Sequence, residues 1–352
     1  MELKLSGGPV IAEEQSQRGR DRGFVIGVDI GGTNLRLALA SYSGTIVGRW
    51  ACSAAGIREP QAIVRLICEG VDALVLERGC LASDLMAIAA GAPGITDTDN
   101  GVVLATSYLM GWKDVPLRDL LEAELAVPAF VDNDVNMAAF GEYSAGSANG
   151  VNDFVFLAIG TGVGAGIVLN GEIYRGHGWL AGEVGYMLVP GTGVTTIEED
   201  QPGALEEIIG GEGIRSHWQS RWSKGGTTLP REATATEVFD AALAGDALAQ
   251  EFLGRVSRSL AYAIYNISLV LNCPLFVLGG SVGLHPALRD ATCAVLGKIN
   301  ARVQPRLAPS SLGSEAQLNG AVFRAIAVAK NRALKCECGE LHSCVNGPAN
   351  ID

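Results

Sequence analysis

The sequence predicts an α/β protein with two domains. Its length of 352 residues exceeds what one hydrophobic core usually serves, so two domains of ordinary size are expected. One design occurs twice in the same order: a strand, a glycine turn, a second strand, another turn and a third strand. Hydrophobic residues make up 48% of the chain and 46 residues are glycine, which is typical of an α/β fold with many tight turns.

The first copy of this design ends a buried strand with a carboxylate and a glycine turn. Apolar residues run from Val25 to Ile30 and alternating leucines follow, which predicts two strands joined by a tight turn. Asp29 lies near the end of the first strand, and the turn consists of Gly31, Gly32, Thr33 and Asn34. Exposed N–H groups in such a turn would form an anion nest suited to phosphate, and a carboxylate beside phosphates suggests Mg²⁺ between them. An ordinary hairpin has the same pattern, so this stretch alone leaves both interpretations open.

The second copy repeats the design farther along the chain. The apolar strand Phe154–Ile159 leads into Gly160, Thr161 and Gly162, then into a strand and the hairpin turn Asn170–Gly171. Two such hairpins on opposite sides of one cleft would form a nucleotide clamp, and chance explains two copies much less easily than one. The first copy is not a Walker loop, because no Gly-Lys-Ser/Thr follows it and the next element is a strand.

Candidate site residues also follow two short strands between the copies. The strand Leu85–Ala90 leads to a turn that contains Gly94, and α/β folds place ligands at the carboxyl ends of strands. The strand Ala129–Val131 is followed by Asn133 and Asp134 at the start of a predicted helix. Helix capping explains such residues as well, but two adjacent polar residues exceed what one cap needs, which favours a functional carboxylate.

Two further motifs lie after the second copy. Glu183 stands between glycines in an apolar segment, where a charge is costly unless it has a partner. Sugar hydroxyl groups would be suitable partners, and a structural salt bridge explains this residue equally well. The buried strand Leu275–Leu278 ends in Gly279 and Gly280, a third glycine turn, suited to packing against a flat base or ribose.

The charge and hydropathy of the chain argue against two classes of partner. A net charge of −12 disfavours nucleic acid as the main partner. No apolar run approaches the roughly 20 residues that a membrane span needs, and residues 1–23 lack the apolar core of a signal peptide. We therefore expect a cytoplasmic protein with a loose N-terminal tail.

In combination, these motifs resemble the ROK family of sugar kinases, in the actin-like ATPase superfamily. The resemblance covers about residues 24–332 and implies two actin-like, ribonuclease H-like α/β domains with mixed five-stranded sheets and an interdomain cleft. The implied boundaries are a flexible tail at 1–23, a small domain at 24–134 completed by a helix at 315–334, a large domain at 135–314 and a Cys-containing tail at 335–352.

The resemblance also implies ATP and Mg²⁺ as cofactors and a role for each motif residue. Asp134 matches the catalytic base. The residues that match the nucleotide site are Asp29, Gly31, Gly32, Thr33, Asn34, Gly160, Thr161, Gly162, Gly279 and Gly280. The residues that match or line the sugar site are Gly94, Asn133, Asp134, Glu183, Tyr186 and Glu206.

The sequence departs from the family at its usual zinc site. That site uses a His after the Glu-x-Gly motif and a Cys-rich run, but Tyr186 stands at the His position and residues 191–205 contain no Cys. We therefore expect this zinc site to be absent. Near the C terminus, metal-like spacing is found in Cys336, Cys338, His342 and Cys344. Incidental thiols in a flexible tail are favoured over a separate zinc clip.

The expected activity is ATP-dependent phosphorylation of a hexose at its 6-hydroxyl, with glucose the first candidate. Allose, fructose, N-acetylmannosamine or a cyclitol as acceptor and polyphosphate as donor stay open, because Tyr186 replaces a residue that normally touches the sugar. A sugar-responsive repressor is disfavoured by the acidic balance and by the short stretch before Phe24, and Asp134 with both hairpins disfavours a non-catalytic sensor. The expected assembly is a homodimer or a homotetramer.

Overall fold

The computed structural model describes residues 23–106, 109, 111–192, 201–300 and 302–345, with the backbone alone for 335–345. The chain divides into two compact units. The first contains the described residues up to Asp132 and those from Ala321 onward, and the second runs from Asn133 to Gly320.

The first unit is built on a five-stranded mixed sheet. Its strands are β1 (Phe24–Ile30), β2 (Asn34–Ser41), β3 (Ile46–Ser53), β4 (Leu85–Ala92) and β8 (Ala129–Asn133). The sheet order is β3-β2-β1-β4-β8, with β1 antiparallel to β2 and parallel to β4. A small antiparallel sheet contains β5 (Ile95–Asp97), β6 (Val102–Ala105) and β7 (Lys113–Val115). The helices between these strands are α1 (Pro60–Arg78) and α2 (Leu117–Leu125).

One face of the first sheet packs against α1. Pro60 stands at the start of α1, where its fixed φ favours a helix, and Gly79 ends the helix at a φ of 64°. The helix buries a stripe with helical spacing that includes Ile63, Ile67, Val71 and Leu74. These side chains share one core with alternate residues of β1 and β2, so the other face of the same strands carries Asp29.

The second unit repeats this sheet. Its strands are β9 (Phe154–Ile159), β10 (Val163–Leu169), β11 (Glu172–Ile173), β12 (Leu275–Gly279) and β13 (Arg306–Pro309). The sheet order is β11-β10-β9-β12-β13, so the third, second, first, fourth and fifth strands follow one another as they do in the first unit. The predicted α/β fold with mixed five-stranded sheets is confirmed.

Eight helices follow β8 in the described part of the chain. They are α3 (Asp134–Ala145), α4 (Glu206–Ile209), α5 (Gly211–Arg221), α6 (Ala235–Leu243), α7 (Ala247–Leu271), α8 (Gly280–Gly283), α9 (Pro286–Ile299) and α10 (Ala316–Val345). The core of the second unit lies between the sheet and α7, whose buried residues include Val256, Leu260, Ile264 and Ile267. None of the helices in the described residues has the length and apolar character that a bilayer span needs.

The last helix is longer than the sequence pattern predicts. The prediction ended it at Leu334 and began a tail at residue 335, but the backbone of α10 is helical to Val345. Lys335 and Glu337 are good helix formers, and no proline or glycine stands between Leu334 and Gly339. The described backbone therefore gives no helix end at Leu334.

Candidate functional site

In the first unit, an exposed glycine turn connects β1 to β2. The Gly31 N–H donates to the Asn34 carbonyl oxygen at 2.8 Å, and the Thr33 carbonyl oxygen accepts from the Ala54 N–H at 2.9 Å. Gly32, Thr33 and Asn34 are exposed. This first glycine turn (Gly31–Asn34) is therefore held by backbone hydrogen bonds and presents its middle to solvent.

Asp29 pairs with an arginine that the sequence reasoning missed. Asp29 and Arg36 are direct cross-strand partners, and the Arg36 Nε donates to Asp29 Oδ2 at 2.7 Å. Nη2 of the same guanidinium also contacts that oxygen. Asp29 is 5% exposed, so this ion pair fixes a nearly buried carboxylate beside the turn. The signal was available: a hairpin that pairs Ile30 with Leu35 must place Asp29 opposite Arg36.

Gly94 lies near the same strand ends of the first sheet as Asp29. Asp29 pairs with Gly91 in β4, and Gly94 follows three residues later. Its φ is +101°, and an added Cβ would lie 2.2 Å from the Ala105 carbonyl oxygen. Only glycine fits there, so Gly94 has a structural role in the turn that brings the small sheet beside β4.

In the second unit, Asn133 and Asp134 share the start of α3. The Asn133 Oδ1 accepts from the N–H groups of Val135 and Asn136 at 2.8 and 3.1 Å, so Asn133 is the N-cap. The Asp134 Oδ1 accepts from the Val135 N–H at 2.9 Å. Asp134 is half-buried and lies in the first turn of α3. The capping interpretation is therefore correct for Asn133 and leaves Asp134 as the candidate base.

The second glycine turn (Gly160–Gly162) connects β9 to β10 and is held by the start of α5. The Gly211 N–H donates to the Gly160 carbonyl oxygen at 2.8 Å, and the Glu212 N–H donates to the Thr161 carbonyl oxygen at 3.2 Å. A Cβ built on Gly160 would meet no described protein atom within 4 Å. The turn is thus supported on its carbonyl side and borders open space at Gly160, as a phosphate cradle requires.

Gly279 and Gly280 lie directly beside the second glycine turn. Gly280 has a φ of +78°, and its Cβ would lie 2.4 Å from the Ile159 carbonyl oxygen and 2.9 Å from the Gly160 nitrogen. A Cβ on Gly279 would lie 2.3 Å from Cζ of Phe156. Gly280 therefore requires glycine because its backbone packs against the backbone that enters the turn, and Gly279 lacks room for a Cβ because the Phe156 ring lies against it.

Glu183 and Glu206 form a pair of partly buried carboxylates. Burial, and then the charge of Glu206, raise the pKa of Glu183 above its ordinary value. Burial also raises the pKa of Glu206, although a hydrogen bond from the Val163 N–H opposes the shift. That N–H donates to Glu206 Oε2 at 2.7 Å. Within the described residues, no Lys, Arg or His side chain forms a salt bridge with either carboxylate. Both carboxylates can accept hydrogen bonds from hydroxyl groups.

The start of β10 brings these motifs together within the second unit. A Cβ on Gly164 would lie 3.1 Å from Val135 Cγ2, so α3 packs closely on the strand next to Asp134. The Ala165 N–H donates to the Gly182 carbonyl oxygen at 2.8 Å, which places the Glu183 segment along the same strand. Tyr186 ends the short 3-10 helix after Glu183 and is partly exposed. The candidate base, the glycine turn and the carboxylate pair therefore surround one strand end.

The described residues include no cluster of three or more His, Cys, Asp and Glu side chains arranged to hold a metal ion. The side chains of Cys336, Cys338, His342 and Cys344 lie outside the described residues. Residues 193–200, within the segment 191–205 that contains no Cys, also lie outside them. The hypothesis of a C-terminal zinc clip stays open.

Two sheets of one strand order, each with a glycine turn after its first strand, define the two-domain actin-like fold. A family model described as the ROK family matches residues 25–328, and the chain belongs to the ROK family. The glucokinase of Halalkalibacterium halodurans is 33% identical over 318 residues, which cover 85% of this chain and 94% of that protein.

Other matches include one kinase structure and one regulator. The crystal structure of a ROK family glucokinase from Streptomyces griseus in complex with glucose and AMPPNP is 25% identical, with a TM-score of 0.69, and the match covers 86% of this chain and 99% of that chain. The xylose repressor of Caldicellulosiruptor bescii is 24% identical over 283 residues, which cover 77% of this chain and 69% of that protein.

Proposed function

We propose that this protein transfers the γ-phosphoryl group of ATP to the 6-hydroxyl of a hexose, with glucose as the first candidate and Asp134 as the general base. The coarser statement, that the chain is an ATP-dependent sugar kinase, follows from its similarity to glucokinases over most of its length. The proposal adds the acceptor hydroxyl, the base and the residues that hold each substrate.

The observation that carries the proposal is the grouping around the start of β10. The half-buried Asp134, the supported turn Gly160–Gly162 and the carboxylate pair Glu183 and Glu206 lie in one compact unit. A sugar kinase needs a base for a hydroxyl, a cradle for phosphates and acceptors for further hydroxyl groups. A non-catalytic sugar sensor has no need of the base beside a phosphate cradle.

Each glycine turn, within its own unit, would offer backbone N–H groups to a nucleotide phosphate. Phosphoryl transfer has a loose transition state, so positioning and charge neutralisation supply most of the rate. Asp29 has the hard oxygen ligands that Mg²⁺ prefers and adjoins the exposed turn Gly31–Asn34, so it is the residue that would hold the ion. Bound Mg²⁺ would neutralise phosphate charge, while Gly279 and Gly280 would border the adenosine.

Asp134 would accept the hydroxyl proton as the oxygen attacks phosphorus. Aspartate is a weak base, since its ordinary pKa is about 3.9, and late proton transfer makes a weak base sufficient. The Asn133 side chain caps α3 through its oxygen, and it would also contact a sugar hydroxyl group. Glu183, Glu206 and Tyr186 would contact the remaining hydroxyl groups.

A coupled assay of ADP release tests this proposal. Glucose, allose, fructose, N-acetylmannosamine and a cyclitol are each supplied with ATP or with polyphosphate, and a mass shift with phosphorus NMR locates the new phosphoester. We expect the highest kcat/KM for glucose with ATP and a product phosphorylated at the 6-hydroxyl. Turnover with none of these acceptors would overturn the proposal.

The same assay tests the base. We expect Asp134→Asn to lower kcat by at least about 10²-fold and to leave nucleotide binding within about threefold of the wild type. Asp290→Asn is the control, because Asp290 is exposed and pairs only locally with Arg289. Near-normal turnover by Asp134→Asn would show that Asp134 is not the base.

A further inference from the structure

We infer that Glu206 positions the second glycine turn as well as contacting the sugar, and that sugar and nucleotide binding are coupled through it. The inference rests on the proposed function, since it assigns a second task to a proposed sugar ligand. It concerns the segment Glu206–Glu212, which contains α4 and the start of α5.

The first observation is a direct hydrogen bond from the strand after the turn to the carboxylate. Val163 follows Gly162 and begins β10, and its N–H donates to Glu206 Oε2 at 2.7 Å. Val163 is 8% exposed, so water is a poor substitute for this acceptor. A buried N–H that loses a charged partner loses both a strong hydrogen bond and its only compensation for desolvation.

The second observation is that the same segment holds the other side of the turn. The Gly211 N–H donates to the Gly160 carbonyl oxygen at 2.8 Å, and the Glu212 N–H donates to the Thr161 carbonyl oxygen at 3.2 Å. A Cβ on Gly210 would lie only 3.1 Å from the Thr161 carbonyl oxygen. The segment Glu206–Glu212 therefore contacts Gly160 and Thr161 within the turn, and Val163 directly after it.

The third observation concerns the second oxygen of the carboxylate. No residue in the described part of the chain donates a hydrogen bond to Glu206 Oε1, and Glu183 lies close enough for its pKa to respond to the charge of Glu206. A sugar hydroxyl that donates to Oε1 would fix the rotation of the carboxylate and hold Oε2 against the Val163 N–H. By linkage, an ordered turn would in return favour sugar binding by the same factor.

The sequence alone could not reveal this connection. Glu206 and Val163 are 43 residues apart, and no pattern in either segment predicts the other. The second glycine turn also needs a partner for its carbonyl groups, which glycine side chains cannot supply. The segment Glu206–Glu212 provides these partners together with a sugar ligand, so the two substrates share one support.

Calorimetric titration with AMPPNP and Mg²⁺ tests the inference, first without sugar and then with the acceptor sugar that the ADP-release assay identifies. The sugar should lower the Kd for AMPPNP in the wild type, and a Kd that the sugar leaves unchanged would refute the coupling. The expected values for the variants refer to the titration without sugar. We expect Glu206→Ala to raise the Kd for AMPPNP by about tenfold, because the Val163 N–H loses its acceptor. Glu206→Gln keeps an acceptor oxygen and should stay within about threefold of the wild type. Glu207→Ala is the matched control, because Glu207 is the next residue of α4 and is exposed, and it should bind AMPPNP as the wild type does.

Two further measurements keep the test decisive. Gly211→Ala would place a Cβ 2.8 Å from the Gly160 carbonyl oxygen, so we expect at least about fivefold weaker AMPPNP binding without any change at Glu206. Hydrogen exchange of the peptide that contains Val163 should be faster in Glu206→Ala than in Glu207→Ala. This readout reports the turn itself and not the overall stability.

The outcomes separate the inference from the proposed function. If the wild type binds AMPPNP and folded Glu206→Ala binds it equally well, the inference is wrong and the kinase proposal stands. If Glu206→Ala does not fold, Glu206→Asp, whose shorter side chain withdraws the carboxylate from the Val163 N–H, takes its place with the same expected rise in the Kd for AMPPNP. If the wild type does not bind AMPPNP, the nucleotide role of the turn fails and the inference fails with it.

Discussion

Replacing Gly160 by alanine separates ligand binding from folding at the second glycine turn. Gly160 has no positive φ, and a Cβ there would meet no described protein atom within 4 Å. Alanine also reduces the conformational entropy of the unfolded chain, which stabilises compatible sites by about 0.4–1 kcal/mol. We therefore expect the melting temperature of Gly160→Ala to equal or slightly exceed that of the wild type.

Nucleotide binding should respond in the opposite direction. The turn amides would hold a phosphate oxygen at about 2.9 Å, whereas a methyl carbon needs about 3.5 Å or more. The phosphate must then shift and lose about one charge-assisted hydrogen bond, which is worth about 1.5–3 kcal/mol. This corresponds to a Kd for AMPPNP that is roughly 10- to 150-fold higher.

Calorimetric titration and thermal unfolding of the same preparations measure both quantities. Gly297→Ala is the control, because Gly297 lies in α9 with open space around its Cβ position and far along the chain from any motif. It should gain stability and keep wild-type affinity. Wild-type AMPPNP affinity in Gly160→Ala would refute the assignment of this turn as a phosphate cradle.

Three further substitutions probe the neighbouring groups. Gly280→Ala should lower the free energy of unfolding by more than about 2 kcal/mol. The new Cβ would lie 2.4 Å from the Ile159 carbonyl oxygen, and the backbone φ of +78° is unfavourable for alanine. An unchanged midpoint of chemical denaturation would contradict this prediction. Arg36→Met should lower the melting temperature, because the nearly buried Asp29 carboxylate loses the Arg36 guanidinium. The double variant that also carries Asp29→Leu should recover most of the lost stability. No recovery would mean that loss of the ion pair is not the cause. Glu183→Gln should melt at a higher temperature than the wild type at pH 7–8. The raised pKa of Glu183 means that its contribution to stability is present below the ordinary pKa of about 4.3 and is lost as the pH rises through the raised value. A difference in melting temperature that stays the same below pH 4 would contradict this explanation.

Local pattern made much of the fold predictable. Local signals mark both ends of the helix α1 (Pro60–Arg78), because proline starts it, glycine follows it and the apolar spacing is regular. The strand β9 was likewise predicted from Phe154 to Ile159. The end of α10 was not predicted correctly. The residues after Leu334 have helical propensity but no regular apolar spacing, so the sequence pattern ends before the helix does.

The candidate site was predictable only in part. Asp29, Asp134 and the glycine turns stand at strand ends, where a short-range pattern points to them. Arg36 could have been found from the register of the first hairpin. The support of Gly160 and Thr161 by Gly211 and Glu212 could not, because backbone hydrogen bonds between distant segments leave no mark on residue type.

The sequence by itself determined the repeated strand and turn design, because alternating apolar residues and glycines act through neighbours along the chain. Tertiary structure alone decided which carboxylate oxygen receives the Val163 N–H and which glycines must lack a Cβ. Those outcomes depend on contacts across 43 residues in one case and on backbone packing at distances below 3 Å in the other. Such contacts are set by how whole elements pack, and no local pattern encodes them.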